Sequence, residues 1–249
     1  MENYFDQQFE LRYFEMNKFG EASSTTLLTL LEETAADHCE SINQGLYTLQ
    51  NQNIGWVLLS GILTMDRYPK YKEKITIRTW MSEFSMIKGH RENLIFDEKM
   101  NIIGRSKGLW VFFDIEKRRP VPVFDSIRED WGTSSDLCLD HDITKKILPI
   151  QAAHNAKKID VNMFDVDIYH HVNNIKYLQW LIESVSDEIF DNYYLYSIDG
   201  RFIAESMYGD TILSTSQPTE EENTFLHTIC TEKDLKPCAT AKTIWRKRP

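Results

Sequence analysis

Residues 165–180 read DVDIYHHVNNIKYLQW, and this stretch decides how the rest of the chain is interpreted. Asp167, Tyr169 and His171 recur at every second position. Alternate residues of an extended segment point the same way, so we expect an acid, a phenol and an imidazole on one face. A helical pattern then runs from about Asn174 to Phe190. Its apolar stripe comprises Ile175, Leu178, Leu181, Ile182, Val185 and Ile189.

The start of this predicted helix is suited to polarising a carbonyl group. Asn173 or Asn174 can cap it, because a short amide side chain accepts from the free N–H groups of a first helical turn. Such a terminus presents unpaired donors and a partial positive charge. At a rise of about 1.5 Å per residue, the helix would be about 25 Å long and could cross a sheet of several strands.

Composition excludes several classes of protein. The chain has 249 residues, 42% of them apolar, and its 28 basic and 38 acidic residues give a net charge of −10. Nucleic-acid binding is disfavoured, because phosphate recognition needs a basic surface. No run approaches the roughly 20 apolar residues of a membrane span, and the N-terminus has no signal-peptide pattern. The four cysteines lack CxxC spacing, which indicates reduced thiols in a cytoplasmic protein.

The chain contains two copies of one pattern, a strand, a helix and about four strands. In the first copy we predict a strand over Phe9–Phe14 and a helix whose face is formed by Leu27, Leu28, Leu31, Ala35, His38 and Ile42. The four strands that follow are predicted at Ile54–Met65, Lys74–Phe84, Gly89–Asp97 and Ile102–Ile115. In the second copy a strand at Lys158–Met163 precedes the helix, and strands follow at Tyr193–Ala204, Asp210–Thr215, Thr224–Glu232 and Ala239–Arg246.

Direct overlay supports the repeat. An offset of 150 places the caps and helices on each other, and an offset of 136 places Lys74–Ile77 on Asp210–Leu213. We therefore expect an α+β protein of two fused units, each an antiparallel sheet wrapped around one helix. Residues 1–130 would form the first unit, 131–152 a linker with a short helix just before it, and 153–249 the second unit.

The repeat also locates the chemistry. On these offsets, the first copy has Asn17, Glu21 and Pro69 where the second has Asp167, His171 and Glu205. The acid–imidazole–acid set exists only in the second copy. One active site per chain, in residues 153–249, is therefore the expectation.

Several of these residues match a known family. The sequence resembles the plant and bacterial acyl-acyl-carrier-protein (acyl-ACP) thioesterases, and the likeness covers nearly the whole chain. The motifs that match are Glu32–Ala35, Trp56-Val57, Asp66–Pro69, Thr79-Trp80, Trp110-Val111, Asp165–Asp167, His171–Asn174, Lys176-Tyr177 and Trp180. The resemblance implies a tandem (double) hot-dog fold, with each half an antiparallel sheet wrapped around one long helix.

The resemblance also implies roles for particular residues. The family's catalytic aspartate falls on Asp167, its histidine on His171 and its downstream glutamate on Glu205. Plant members have Asn where Tyr169 stands and Cys where Ser206 stands; the second difference argues against a cysteine nucleophile. The plant members also have a plastid-targeting extension that is not seen here, which points to a bacterial-type cytoplasmic form.

The reaction implied is hydrolysis of a fatty acyl-ACP to a free fatty acid, with no cofactor or metal. Glu205 or Asp167 would act with His171 to activate water. N–H groups at Val172, Asn173 and Asn174, together with Tyr169 and Ser206, would position the thioester and stabilise the oxyanion. Direct attack by a carboxylate is the alternative chemistry.

The partner implied is an acyl carrier protein, which is acidic and would dock on a basic patch. Lys117, Arg118 and Arg119 are the first candidates, and Arg246–Arg248 are a second group. The first unit, which lacks the catalytic set, would hold the acyl chain against Trp56, Leu58 and Ile62. The sequence is compatible with a homodimer. The competing functions are an acyl-coenzyme A thioesterase, a non-catalytic acyl-thioester sensor and, with less support, a hot-dog dehydratase.

Overall fold

The computed structural model describes residues 3–151, 156–168 and 170–249. The chain divides into two compact units, Met1–Thr144 and Lys145–Pro249. The predicted linker, 131–152, therefore contributes most of its length to the first unit, where Ile143 is buried against Ile62 and Leu109. The predicted start of the second unit at residue 153 lies outside the described residues.

The first unit is an antiparallel sheet with a long helix on one face. Its helices are α1 (Ser24–Glu40), α2 (Leu46–Gln50) and α3 (Asp125–Trp131). Its strands are β1 (Phe5–Glu10), β2 (Ile54–Met65), β3 (Lys74–Phe84), β4 (Lys88–Phe96), β5 (Ile102–Asp114) and the short β6 (Arg119–Pro120). The main strands lie in the order β1-β3-β4-β5-β2. All four strands predicted after the helix begin and end within one residue of the observed bounds, and Ile54–Met65 and Lys74–Phe84 match at both ends.

The second unit repeats this arrangement. Its helices are α4 (Asn174–Ile182) and α5 (Asp187–Asn192). Its strands are β7 (Lys157–Asp160), β8 (Tyr193–Phe202), β9 (Thr211–Pro218), β10 (Thr224–Thr231) and β11 (Pro237–Lys247). They lie in the order β7-β9-β10-β11-β8, which is the strand order of the first unit. The core of this unit is formed by the buried face of α4 and apolar residues of the sheet, including Leu181, Ile198, Ile212 and Ile229.

The register of the repeat differs by one residue from the sequence overlay. Glu10 pairs with Lys74 in the first unit, and Asp160 pairs with Thr211 in the second. The offset is therefore 150 at the first strand but 137, not 136, at the strand that it pairs with. On this register Tyr68, rather than Pro69, is the equivalent of Glu205. A one-residue shift moves every side chain of a strand to the other face, and an overlay of only four residues was too short to exclude it.

The second helix is shorter than the sequence predicts. A single helix from Asn174 to Phe190 is wrong, because α4 ends at Ile182 and α5 starts afresh with Ser186 as its N-cap. The hydroxyl of Ser184 donates to the Leu181 carbonyl (2.7 Å) and lies 3.2 Å from Nδ1 of the buried His227. This side-chain bond competes with the backbone hydrogen bonds that would continue the helix, as serine side chains often do. The nine residues of α4 span about 14 Å.

The strand predicted at Phe9–Phe14 is also wrong. β1 ends at Glu10, and Tyr13–Glu15 form a 3-10 turn that exposes 96% of Phe14. The backbone N–H of Arg12 donates to the Glu15 carboxylate at 2.6 Å, which closes this turn. The alternation of aromatic and polar residues over Phe9–Phe14 resembles the pattern of a strand, although the chain turns there.

No helix in the described part of the chain is long and apolar enough to cross a membrane.

Candidate active site

The segment that contains Asp167 and His171 is a tight turn between two paired residues. Val166 and Val172 form an antiparallel bridge, and inside it the Asp167 N–H donates to the His171 carbonyl at 2.8 Å. His170 has a φ of 64°, which is the left-handed conformation. The expectation of an extended segment with three side chains on one face is therefore wrong. Tyr169, one of those three, lies outside the described residues.

The same turn occurs in the first unit without the same chemistry. There Met16 bridges Ala22, the Asn17 N–H donates to the Glu21 carbonyl (2.8 Å), and Gly20 has a φ of 73°. Gly20 stands where the second unit has His170. The turn is thus a property of the repeated fold, and only the second copy places an imidazole in it.

A connection after β8 brings a carboxylate to this turn. The Val172 N–H donates to the Ser206 carbonyl at 3.1 Å, and His171 forms a bridge with Met207. Glu205 immediately precedes these paired residues. Its Oε2 lies 3.5 Å from Nε2 of His171, slightly longer than an ordinary hydrogen bond. Both side chains reach solvent, with 19% of His171 and 42% of Glu205 exposed.

Asp167 joins the same cluster through the backbone. Its Oδ1 accepts from the His171 N–H at 3.3 Å, and the corresponding Asn17 oxygen accepts from the Glu21 N–H at 3.4 Å. The structure therefore brings His171 and Glu205 side chain to side chain and places the Asp167 carboxylate on the peptide of His171. Within the described ranges, no group of three or more His, Cys, Asp and Glu is arranged to hold a metal ion.

The front of α4 offers fewer free donors than the sequence suggests. The Val172 N–H is occupied by Ser206, and the Asn173 N–H donates to the Asp165 carbonyl at 2.9 Å. The Asn173 side chain caps the helix by accepting from the Ile175 N–H at 2.8 Å. Neither Val172 nor Asn173 can therefore donate to an oxyanion as predicted. The N–H of Asn174 has no acceptor among the described residues, so it is the candidate donor that is left.

Ser206 supports the site from inside the protein. It is fully buried, so its predicted contact with substrate is wrong. Its N–H donates to the phenol oxygen of Tyr177 at 2.7 Å, and its hydroxyl lies 3.3 Å from the thiol of Cys238. Burial raises the pKa of Tyr177 to about 12, so the phenol stays protonated at neutral pH. Ser206 thus fixes the chain next to Glu205.

Three positioning residues were not assigned from sequence. Tyr177 holds Ser206, and Asp165 accepts at its backbone carbonyl from Asn173. Lys176 Nζ reaches Asp165 Oδ1 at 3.2 Å. The Lys-Tyr pair and Asp165 lie in the motifs used for the family resemblance, so the signal was present in the sequence. Only the folded structure shows that these residues surround and position His171 and Glu205.

Comparisons with known proteins identify the family. Residues 2–131 match the model of the acyl-ACP thioesterase N-terminal domain, and residues 150–247 match that of the C-terminal domain. The chain belongs to the acyl-ACP thioesterase family. It is 28% identical, over 88% of its length, to a chloroplastic palmitoyl-acyl carrier protein thioesterase of Gossypium hirsutum. It spans 56% of that protein and 63% and 64% of two further plant relatives.

Solved structures of similar proteins confirm the fold. An acyl-ACP thioesterase from Bacteroides thetaiotaomicron superposes with a TM-score of 0.85 at 21% identity, covering 98% of both chains. A putative oleoyl thioesterase from Lactobacillus plantarum gives 0.86 at 22% identity, covering 99% of this chain and 97% of the other. The predicted tandem hot-dog fold is therefore correct, with the corrections to the helices and the register given above.

In this family member the three residues predicted to line the acyl chain do not share one face of the sheet. Trp56 pairs with Phe112 and Leu58 with Trp110, but a bulge between Leu58 and Ser60 reverses the alternation. Ile62 consequently faces the other side, where it packs against Leu139 and Ile143 of the predicted linker. Trp56 packs among apolar residues of the opposite face, near Trp131. The three residues therefore cannot line one surface together, and their contact with an acyl chain stays a prediction.

The predicted carrier-docking residues lie on the surface of the first unit. All three are exposed: Lys117 and Arg118 lie in the connection between β5 and β6, and Arg119 is the first residue of β6. Lys117 Nζ pairs with Asp114 at 3.1 Å, which offsets part of its charge. Their role in docking stays a prediction.

Proposed function

We propose that this chain hydrolyses fatty acyl-ACP thioesters to free fatty acid and holo-carrier protein, ending fatty acid synthesis. The observation that supports this most is the 3.5 Å contact between His171 and Glu205 beside the start of α4. The contact occurs in a chain of the acyl-ACP thioesterase family and in only one of its two similar units. Residues 153–249 would supply the chemistry, and residues 1–130 would hold the acyl chain.

The pair can activate a water molecule. A water bound to both Nε2 of His171 and Oε2 of Glu205 would lose a proton to the pair as its oxygen attacks the thioester carbonyl carbon. The new C–O bond forms, the C–S bond breaks, and the departing thiolate takes up the proton. Thiolates leave readily, so the site has little need for a separate acid. Asp167 would hold the His171 peptide in place, consistent with its 3.3 Å contact.

The Asn174 N–H would stabilise the oxyanion. It lies in the first turn of α4, where peptide dipoles give a partial positive charge. A single well-placed donor of this kind contributes about 3 kcal/mol to the transition state. The neighbouring N–H groups are committed to Ser206 and Asp165, which makes the first turn rigid.

A steady-state assay of acyl-ACP hydrolysis tests the proposal. His171→Ala and Glu205→Gln should each lower kcat by about 10²–10⁴, the range contributed by general acid–base groups. His170→Gly is the matched control, because Gly20 adopts the same conformation in the first unit and the variant keeps the turn. Full activity in His171→Ala, or an equal loss in His170→Gly, would contradict the assignment.

Product analysis in H₂¹⁸O separates water attack from carboxylate attack. If water attacks directly, label appears in the fatty acid and not in the enzyme. If Glu205 attacks first and water then adds to the glutamyl carbonyl of the resulting anhydride, ¹⁸O enters the Glu205 carboxyl group over repeated turnovers. Mass spectrometry of the peptide that contains Glu205 distinguishes the two.

The carrier and the cellular context complete the proposal. Turnover of one acyl group on acyl carrier protein and on coenzyme A decides between the two thioesterase functions; a sensor would bind acyl thioester without releasing thiol. Replacing Lys117, Arg118 and Arg119 with Ala should raise KM for the carrier substrate while leaving kcat unchanged.

We place the protein in the cytoplasm, where its four free thiols would stay reduced. Light scattering would test whether the chain forms a homodimer.

A further inference from the structure

The first unit exposes a cluster of aromatic rings beside the turn that corresponds to the His171 turn of the second unit. Phe14 is 96% exposed and Tyr13 is 72% exposed on the 3-10 turn, and Tyr71 is 50% exposed. The centre of the Tyr13 ring lies 5.4 Å from that of Phe14 and 6.3 Å from that of Tyr71. The three rings are therefore contiguous, and exposed apolar surface of this kind commonly marks an interaction site.

Backbone hydrogen bonds hold the rings together. The Leu11 N–H donates to the Glu73 carbonyl, and the Lys72 N–H donates to the Leu11 carbonyl, both at 3.0 Å. These bonds join the connection that contains Tyr71 to the residues just before the 3-10 turn. The exposure of Phe14 is thus a feature of a hydrogen-bonded surface.

Basic side chains adjoin the rings. Four of them are exposed: Arg12, Lys18, Lys70 and Lys72. The ammonium of Lys72 lies 5.6 Å from the centre of the Tyr71 ring. That of Lys18 lies 5.2 Å from the centre of the Phe19 ring, a fourth aromatic side chain that is 38% exposed. The surface therefore combines aromatic rings with cations.

The acids at this end of the unit are turned further inward than the cations. Three of them form ion pairs, Glu10 with Lys72, Glu15 with Arg12 and Glu73 with Arg67. In all three pairs the basic side chain is the more exposed partner, most clearly for Arg12 at 79% against Glu15 at 13%. Glu21 accepts from the Asn17 side chain at 3.4 Å. Solvent therefore meets mainly cations here, although the whole chain has a net charge of −10.

The second unit repeats the apolar residues without the cations. On the observed register, its exposed residues Met163, Phe164 and Tyr208 correspond to Tyr13, Phe14 and Tyr71. The positions of the four cations are occupied there by Asn162, Ile168, Met207 and Gly209. Lys72 and Gly209 both have a left-handed φ, 68° and 88°, which supports this register. The repeated fold accounts for the exposed apolar residues, but the basic residues belong to the first unit.

We propose that this aromatic–basic surface binds the interfacial region of an anionic lipid bilayer. The surface is formed by Tyr13, Phe14 and Tyr71 with Arg12, Lys18, Lys70 and Lys72. The rings would enter the headgroup region, where amphipathic aromatic side chains are favoured, and the basic groups would contact lipid phosphates. The acidic charge elsewhere on the protein is screened beyond about 8 Å at physiological ionic strength, so it opposes binding only weakly.

A bilayer fits this surface better than a protein partner does. A ring that is almost entirely exposed, as Phe14 is, can enter a deformable lipid phase, whereas a protein would need a matching pocket for it. Free fatty acid, the product under the proposed function, also partitions into bilayers. Vesicle binding is measured without turnover, so its outcome does not depend on whether the chain hydrolyses a thioester.

Flotation of the full chain with lipid vesicles tests the proposal. The vesicles contain phosphatidylcholine alone or phosphatidylcholine with about one third phosphatidylglycerol, and the wild type should bind the anionic ones at least about fivefold more strongly. The double variant Tyr13→Ser/Phe14→Ser should lose about fivefold or more of this binding. Lys70→Gln/Lys72→Gln should reduce the preference for anionic vesicles, as should high salt.

The matched control is Met163→Ser/Phe164→Ser, which changes the corresponding exposed residues of the second unit and should bind vesicles as the wild type does. Equal losses in the two serine variants, or no binding by the wild type, would overturn the proposal. Circular dichroism checks that each variant folds. Phe14→Trp gives a second measurement, because its fluorescence should be quenched by brominated lipid more than that of the wild type.

Two other occupants of the surface predict different results. If the carrier protein docks here, Tyr13→Ser/Phe14→Ser should raise KM for acyl-ACP in the absence of vesicles. If a second copy of the chain covers the surface, light scattering should show a wild-type dimer that dissociates in this variant. Either result would overturn the proposal, and unchanged KM and mass with weakened vesicle binding would support it.

Discussion

Tyr177 is the residue that connects helix α4 to Glu205, the carboxylate proposed to act in catalysis. Its phenol oxygen accepts the buried N–H of Ser206, the residue that follows Glu205. The ring packs edge-to-face on Trp180, with centroids 5.8 Å apart. A buried N–H that loses its acceptor costs about 1–3 kcal/mol, so this single bond can hold a loop in place. The position of Glu205 therefore depends on a residue with no chemical role of its own.

Replacing Tyr177 with Phe should loosen that loop without emptying the core. We expect the free energy of unfolding to fall by about 1–3 kcal/mol and kcat to fall about tenfold or more, with KM little changed. Urea denaturation and steady-state kinetics measure the two effects. Tyr208→Phe is the control, because Tyr208 is 63% exposed near the same connection. If kcat is unaffected in a destabilised Tyr177→Phe, the tyrosine only stabilises the fold.

At the scale of elements, the bulge in β2 decides which of its side chains share one face of the sheet. It separates Leu58 from Ile62, although their spacing of four residues would put them on one face of a regular strand. Leu58 lies on the face covered by α1, and Ile62 packs under residues 139 and 143. Substitutions at the two positions should therefore have different consequences.

We predict that Leu58→Trp shifts the preferred acyl chain to shorter lengths, because the larger side chain would take up room on the face proposed to hold the acyl chain. Ile62→Ala should instead destabilise the fold by about 2–5 kcal/mol, as core truncations do, without changing chain-length preference. A panel of saturated acyl-ACP substrates and a thermal melt measure the two outcomes. A shift in chain length caused by Ile62→Ala, with none from Leu58→Trp, would reverse the assignment of faces.

These elements also show where sequence reasoning works and where it stops. Long strands such as Ile54–Met65 were predicted to the residue, because β-branched and aromatic runs bounded by turns have a clear period. The bulge inside that strand, the break after Ile182 and the turn at His170 were missed. Each depends on one contact or one backbone angle, such as the Ser184–His227 bond, that residue type does not reveal. The family resemblance grouped His171 with Glu205, whose side chains lie 3.5 Å apart in the structure, but it did not reveal which N–H groups were already occupied.

At the scale of the whole molecule, the two units share one feature. Among the described residues, each unit buries a histidine, His38 in the first and His227 in the second. Burial lowers the pKa of each to about 3, and the charge of Arg91 also disfavours protonation of His38. The two imidazoles are hydrogen-bonded in different ways: His38 accepts from Arg91, and His227 Nε2 lies 2.7 Å from the Thr243 hydroxyl.

These lowered pKa values predict that both units are acid-sensitive. Below pH 6.5 the unfolded chain binds a proton at each of these histidines and the folded chain does not, so stability is complete above pH 6.5 and falls as the pH is lowered toward 3. Each histidine should reduce the free energy of unfolding by up to about 1.4 kcal/mol per pH unit. Carboxylates with lowered pKa values, such as Glu73 and Glu183, add to this loss only near and below pH 4.5.

Urea denaturation at pH 7.5, 6.5, 5.5 and 5.0 isolates the histidine contribution. We expect the free energy of unfolding to decline through this series and the decline to be smaller in His227→Gln. Glutamine can still hydrogen-bond Ser184 or Thr243 but takes up no proton when the second unit unfolds. His170→Gln changes an exposed imidazole and should leave the slope as in the wild type. A wild-type stability that is flat from pH 7.5 to 5.0 would mean that the two buried imidazoles gain protons without unfolding, which contradicts their enclosure in the two cores.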